Sequence, residues 1–523
     1  MLSKITSTRS LLFLALFCAL TPIWITHREM WDGVAIEYAF EIRDLSGLLH
    51  AVTASGWLIA VWIYKTLWLL QNGLSIPYWL GIELLYTLAL LGMAYEVMKL
   101  SSQRLGLSSI VGTIAVVLFL AHPIWHFLMS GIHVVHMTGL WFLLLGHRLT
   151  NQKSRNGQAL GWILVTLSFQ FPASIVMVFW LEALLFWQAR KSQQQNATRA
   201  VLVALYAAAW YVSSRTVFAP TQTFGGYNQL LLPTSVEALR MIAWTGLKFV
   251  SWLGVLGAPV WAACIWTQHL KRKSNQLHGR QEDILSTTMT STLGLVIAGC
   301  MLAIAPYWAV GKGPVVAMPY DWTARNALPL SVPLSLLMAI LIDRLTPRSN
   351  TQKPHDHGNC LLMILVGCWL AMSVLGIGGK LYQIRLEKAV ESSLRQIPAP
   401  PSGIVTIELP FDPIVRIRQN EANGLLWRAY SRAEWAVLVS PPTSWVQLIR
   451  DSYVGEQATA VKQMKDLPLW GKFMVMGDLK SFSCETTITL SLHDGKQGFK
   501  AWLNWLTWSS PIFNANLAKT TCP

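Results

Sequence analysis

Residues 51–71 read AVTASGWLIAVWIYKTLWLLQ, an apolar stretch long enough to cross a bilayer, and whether it crosses decides the topology of all that follows. If it crosses, the loops holding Lys99 and Arg104, then Arg148, Lys153 and Arg155, fall outside. If it lies in the interface or re-enters, those loops fall inside. So do Arg190, Lys191 and Arg199, then Lys271, Arg272, Lys273 and Arg280, then Arg344, Arg348 and Lys353. With Lys4 and Arg9, seventeen basic residues then share one side. Cytoplasmic loops collect Lys and Arg, so the charge rule favours the non-crossing reading. Trp57, Trp62, Tyr64, Lys65 and Trp68 suit a helix lying in the interface.

Working outward, the chain has the composition of a membrane protein. Of 523 residues, 53% are hydrophobic and 13% charged, and 26 are Trp. Soluble domains carry about 25% charged residues, which excludes a cytosolic globular enzyme and any disordered or fibrous protein. Apolar runs at 11–25, 77–97, 107–122, 133–147, 158–169, 172–188, 199–217, 241–267, 286–306, 326–343 and 360–378 predict an all-α polytopic bundle. That makes about eleven spans. Runs 158–169 and 172–188 are short, and the Phe171-Pro172 break between them predicts a hairpin or broken helix inside the bundle. The net charge of +15 follows from basic cytoplasmic loops and implies no nucleic acid. The first run follows Lys4 and Arg9 without a small-residue cleavage site, and reads as a retained signal-anchor. The N-terminus is then cytoplasmic, loops 27–76 and 307–325 are external, and the C-terminus is external.

The composition shifts after Gly379. Residues 1–379 read as the transmembrane part. Residues 380–397 read as an amphipathic exit helix and the start of a proline-rich linker. Residues 398–523 read as a small α+β domain outside the membrane. Its strand-like runs are 404–409, 435–439, 473–476 and 486–492, with a hairpin turn at 493–495. Cys484 and Cys522 are the cysteines of this tail, and an oxidising compartment favours their pairing. The other cysteines lie in apolar runs, where Cys acts as a small hydrophobe.

Chemistry concentrates in the loops. Loop 27–76 opens with His27, Arg28, Glu29 and Asp32, followed by Glu37, Glu41, Arg43 and Asp44. Acids held near a bilayer surface can serve as general base or metal ligand, or simply face water. Loop 307–325 carries Lys312, Asp321 and Arg325, and Arg and Lys suit phosphate. For a lone Arg at a span end, as Arg325 is, snorkelling to the interface is the commoner role. His122, His126, His133 and His136 flank a short turn at Pro123, with His122 and His126 spaced for one helical face. No carboxylate accompanies them locally, and interfacial histidines are ordinary. Glu83, Glu182 and Lys248 are intramembrane charges, but scattered ones. Asn196-Ala-Thr198 matches a glycosylation sequon in a loop expected to be cytoplasmic.

The order of these features resembles the GT-C class of membrane glycosyltransferases, which includes protein O-mannosyltransferases and the lipid A aminoarabinose transferase. One N-terminal span leads to a long external loop with acids at its start and an interfacial helix. A span, a basic turn and a span ending at His122-Pro123 follow. The resemblance is best over residues 1 to about 200. It implies transfer of a sugar from a polyprenyl-phosphate donor to an envelope acceptor on the external face of the cytoplasmic membrane. It further implies an acid of the first external loop as the catalytic residue, matched by Asp32, with Glu29 and Glu37 as alternatives. Asp32 is followed by Gly33 and not by a second acid, which leaves open a divalent metal as cofactor. Arg325 and Lys312, with Arg28 and Asp321 nearby, are the residues for donor binding. A transporter or flippase of lipid-linked intermediates, and a non-catalytic scaffold of polysaccharide assembly, are the rival readings. Neither paired charges along several spans nor an inverted repeat favours transport.

Overall fold

The computed structural model describes residues 2–24, 33–41, 45–54, 57–127, 131–188, 193–216, 234–275, 287–312, 322–345, 355–401, 403–408, 419–431, 435–440, 484–492 and 513–521. The apolar runs fold as helices, as side chains greasy on nearly every face require. In order they are α1 (Leu2–Trp24), α2 (Gly33–Glu41), α3 (Ser46–Ala54), α4 (Leu58–Leu74), α5 (Tyr78–Lys99), α6 (Ser109–Ala121), α7 (Ile124–Phe127) and α8 (Gly131–Leu149). Then come α9 (Arg155–Ser168), α10 (Pro172–Gln188), α11 (Gln193–Thr216), α12 (Val236–Asn275) and α13 (Thr287–Ala309). A 3₁₀ segment, Trp322–Leu330, leads into α14 (Ser331–Leu345), and α15 (His355–Leu394) closes the bundle.

Among the described residues, five helical stretches are long and apolar enough to cross a membrane: Tyr78–Arg104, Val236–Ala258, Thr292–Ala309, Asn326–Arg344 and Leu362–Leu394. Ser10–Thr21, Ser109–Ala121, Ala173–Trp187 and Val201–Val212 are shorter apolar helices. This is a multi-pass membrane protein. The runs at 133–147 and 158–169 fold as α8 and α9 and stand outside both groups, so among the described residues five long and four shorter apolar helices lie where about eleven spans are expected.

Segment 51–71 is not one helix. The chain leaves α3 at Ala54 and restarts as α4 at Leu58. One face of α4 buries Ile59, Ala60, Tyr64 and Leu67, while Trp62 and Leu69 on the other stay exposed. The Ile59 N–H donates to the Gln170 side chain at 2.6 Å, which satisfies an orphan donor of the α4 N-terminus. Gln170 lies in the turn between α9 and α10, where Pro172 begins α10 in the position a proline tolerates best. From there α9 packs chiefly on α8, and α10 on α11 and α13. The α8–α9 contact is close because Gly146 and Gly161 face each other; a Cβ on Gly146 would lie 2.8 Å from the Gly161 carbonyl oxygen.

Tryptophans tie the helices together. Indole N–H groups of Trp180, Trp308 and Trp369 donate to the carbonyls of Leu295, Ile242 and Leu256 at 2.9, 2.9 and 3.0 Å. An apolar interior makes an unmade donor costly, so each ring is fixed by its polar edge as well as its area.

Beyond the bundle, β1 (Gly403–Glu408), α16 (Gln419–Tyr430), β2 (Trp435–Ser440), β3 (Cys484–Leu492) and β4 (Phe513–Thr521) follow. The strands form a four-stranded sheet in the order β2-β1-β3-β4. β1 is parallel to β2 and β3, and β4 is antiparallel to β3. Strand expectations at 404–409, 435–439 and 486–492 coincide with β1, β2 and β3, while β4 was not anticipated. The run 473–476 and the turn 493–495 lie outside the described residues. Across the shift in composition at Gly379 the helix is continuous, with α15 running through Gly376, Gly378 and Gly379. Each glycine costs about 1 kcal/mol relative to Ala, and packing at both ends offsets it. The first part of α15 joins the main core through Leu365, Val366 and Trp369. Its last turns, with Tyr382, Leu386, Val390 and Leu394, join a second core with Val405, Ile407, Leu425, Leu426 and Ile488.

Candidate functional site

α8 connects the two loops singled out in the sequence. It touches α2, which begins one residue after Asp32, and it touches the 3₁₀ segment that contains Arg325. Arg28, Glu29, Asp32 and Asp321 lie outside the described residues, as does the Arg325 side chain. Lys312 is half-buried just beyond α13. Its N–H donates to the Tyr307 carbonyl at 2.8 Å, and its carbonyl accepts from the Asn326 amide side chain at 3.3 Å. Asn326, next to Arg325 in sequence, thus ties the 3₁₀ segment to the end of α13. At the α8 contact, His136, Leu140, Phe171, Ser174, Met177, Tyr307, Leu328 and Pro329 line a cavity of about 20 Å³. That holds about one water.

His136 is packed between aromatic rings, with centroids 5.0 Å from Trp57 and 4.7 Å from Phe171. A Cβ on Gly139 would overlap the Phe171 ring, so the glycine is what lets this stack close on α8. His122 does not share a helical face with His126. α6 ends at Ala121, and His122 is extended, with φ −60° and ψ 125°. Its Nδ1 accepts from the Ile124 N–H at 3.1 Å, and its ring packs on Trp252 and Trp369. Pro123 imposes this, because the residue before a proline disfavours the helical region. The His126 side chain lies outside the described residues. Among the described residues no three His, Cys, Asp or Glu side chains form a metal-binding group.

Glu37 is drawn into a contact that sequence reading missed. It lies on α2 facing α16, where the Arg428 guanidinium grips it as a fork. Nε–H donates to Oε1 at 3.0 Å, and Nη2–H donates to Oε2. Nη1–H of the same Arg428 donates to Glu387 Oε2 at 3.3 Å and lies 3.9 Å from Glu391 Oε1, both on α15. Gln383 donates to Glu387 from one turn earlier at 2.9 Å. Burial opposes the Arg428 charge, but Glu37, Glu387 and Glu391 outweigh it and raise its pKa, so it stays cationic. Two further contacts complete the α2–α16 seam: Tyr38 meets Trp427 edge-on at 5.2 Å, and a Cβ on Gly424 would overlap Val34. The available signal was the spacing of Lys380, Gln383, Glu387 and Glu391, a polar stripe down one face of the exit helix. Periodicity reports such a stripe as solvent-facing; here Lys380, Gln383, Glu387 and Glu391 are all buried.

A second polar network lies where α5, α8 and α10 end. Arg148 Nε–H donates to both oxygens of Glu96, at 3.0 and 2.8 Å. Glu182 meets His147 at 3.1 Å and accepts from Arg199 at 3.1 and 3.2 Å, and Arg199 also reaches Thr150. Glu182, expected to be an isolated intramembrane charge, is therefore paired. Lys248 lies over the Trp244 ring one turn away, 5.8 Å from its centroid.

Cys18, Cys300 and Cys368 are free thiols, whereas Cys484 is disulfide-bonded. The β3–β4 register runs to Glu485 opposite Thr521, one residue short of Cys484 and Cys522. Cys522 itself lies outside the described residues.

No family model matches the sequence, and no curated protein matches it. Among solved structures, the chain is similar to the crystal structure of ArnT from Cupriavidus metallidurans bound to undecaprenyl phosphate. The alignment covers 99% of this chain and 98% of that one, at 12% identity and a TM-score of 0.45. A likeness at that level carries no argument about this chain.

Proposed function

We propose that this protein is a membrane glycosyltransferase that moves a sugar from a polyprenyl-phosphate donor to an envelope glycan, lipid or protein on the external face of the inner membrane. The observation that supports it most is the meeting on α8 of α2, preceded by Asp32, and the 3₁₀ segment holding Arg325. In this reading the two elements bring an acid and a cation from loops distant in sequence toward one helix. In this reading Asp32 takes the proton of an acceptor hydroxyl, whose oxygen attacks the anomeric carbon with inversion. The bond from that carbon to the phosphate oxygen breaks, and polyprenyl phosphate leaves with the electron pair. Arg325 and Lys312 offset the charge on the departing phosphate. A positioned base contributes about 10²–10⁴-fold, and preorganised charge a comparable factor. Glu29 remains an alternative base, and Arg28 and Asp321 line the same donor site in this reading. Glu37, held by the Arg428 fork, is better suited to fixing α2 than to collecting protons. A divalent metal at the acidic loop is compatible with the residues present and is not needed by any step above.

The disulfide at Cys484 supports an external C-terminal sheet, because such bonds persist in oxidising compartments. A deletion strain tests the function. It should lose one envelope glycan or glycan modification while accumulating the sugar-charged polyprenyl phosphate, and wild-type but not Asp32→Asn protein should restore it. Full restoration by Asp32→Asn would favour a scaffold, and precursor trapped on the cytoplasmic face would favour a flippase.

A further inference from the structure

Helix α2 has nine residues, and helices shorter than about 12–15 residues are marginal on their own. Its order therefore comes from what it packs against, and its longest seam is with α16. Val34 with Gly424, Glu37 with Arg428 and Tyr38 with Trp427 repeat at three- and four-residue intervals on both helices, the spacing of one helical face meeting another. Within that seam Arg428 is nine-tenths buried. It holds Glu37 by two bonds, which fixes angle as well as distance. Its Nη1 in turn donates to Glu387 and lies 3.9 Å from Glu391, both on α15. α15 thus anchors α16, and α16 anchors α2. We propose that Arg428 is a positioning residue for the transfer reaction: α16 sets the place of α2, and so of Asp32, which directly precedes it. This rests on the reading of Asp32 as the base. A displacement of about 1 Å at a reacting group can cost about 10²-fold in rate, so a seam remote in sequence can govern turnover without touching substrate.

Arg428→Lys separates positioning from charge, since Lys keeps the cation among its carboxylates and loses the fork. Full-length protein in detergent is compared by hydrogen exchange and by transfer from short-chain polyprenyl-phosphate sugars. In Arg428→Lys, α2 amides should exchange at least about tenfold faster while α5 and α8 are unchanged. The kcat should fall about 10- to 100-fold with donor KM within about twofold, because Arg428 is engaged by Glu37 and Glu387 and is assigned no part in donor binding. Wild-type exchange in α2, or wild-type kcat, would overturn the proposal; so would faster exchange in α5 and α8 alike, which marks general destabilisation. If Arg428→Lys does not fold, Gly424→Ala, which pushes on Val34, should give the same signature and is judged by the same criteria. Asp32→Asn in the same assay separates the two claims. Wild-type turnover there overturns the base assignment and this proposal together. An inactive Asp32→Asn beside fully active Arg428→Lys and Gly424→Ala overturns the positioning role alone.

Discussion

The two charged networks lie at opposite ends of α5 and are built differently. Phe40, at the end of α2, stacks on Tyr78 at the start of α5, with ring centroids 4.6 Å apart. Glu96 sits near the other end, roughly 27 Å along a helix axis. The Glu96 network joins helices close in sequence: its pairs are separated by 52, 35 and 17 residues. The Arg428–Glu37 pair spans 391 residues. Closing a longer loop costs only slightly more entropy, but the contact cannot form until the chain has been made as far as α16. One end of the bundle is therefore completed locally, helix by helix. The other is completed by α16, far along the chain, and it is the end to which α2 belongs. The lesson is a division of labour: the local network sets whether the bundle stands, and the long-range one sets how the first loop is held.

The sharpest way to break that division is Glu182→Ala. It strips Arg199 and buried His147 of their shared carboxylate, and breaking a buried ionic group typically costs about 3–5 kcal/mol. Thermal unfolding in detergent should show a larger loss than Arg428→Lys does. The reverse order would mean that the long-range pair, and not the local network, supports the bundle.

A smaller and more confined effect is expected at Cys484. Removing a disulfide costs about 2–4 kcal/mol, and here the loss should fall on the sheet β2-β1-β3-β4. Cys484→Ser should speed proteolysis between residues 403 and 521 without lowering the unfolding temperature of the bundle. Mass spectrometry of non-reduced peptides should identify Cys522 as the partner, the pairing expected from an oxidising compartment. Two free thiols there would remove both the staple and its support for an external sheet.

Much of the helical layout was legible because hydropathy is additive along the chain. Leu, Val, Ile and Trp at 107–122 or 172–188 leave no soluble alternative, and α6 and α10 lie where those runs are. Strands β1 and β3 were legible from Val405 and Ile407 and from Ile488 and Leu490, which alternate with polar residues as a half-buried sheet demands. β4 was not, because Phe513–Thr521 is mostly polar and is a strand only through its pairing with β3. The stripe Lys380–Gln383–Glu387–Glu391 was visible, but its partner was not. Nothing local to Arg428 says that it faces Glu37, and a buried charge reads in sequence like an exposed one. His122 was misread for a related reason: spacing alone gave it a helical face, and Pro123 took that face away.

Turnover of the Asp32→Asn protein tests the central claim most directly. The substitution keeps size and polarity and removes the basic carboxylate. With purified protein, a labelled polyprenyl-phosphate sugar and envelope acceptor, the wild type should release free polyprenyl phosphate as label enters the acceptor. Asp32→Asn should bind the donor with little change and turn over at least about a hundredfold more slowly. Wild-type turnover in Asp32→Asn, and again in Glu29→Gln and Glu37→Gln, would contradict an acid–base role for the first loop.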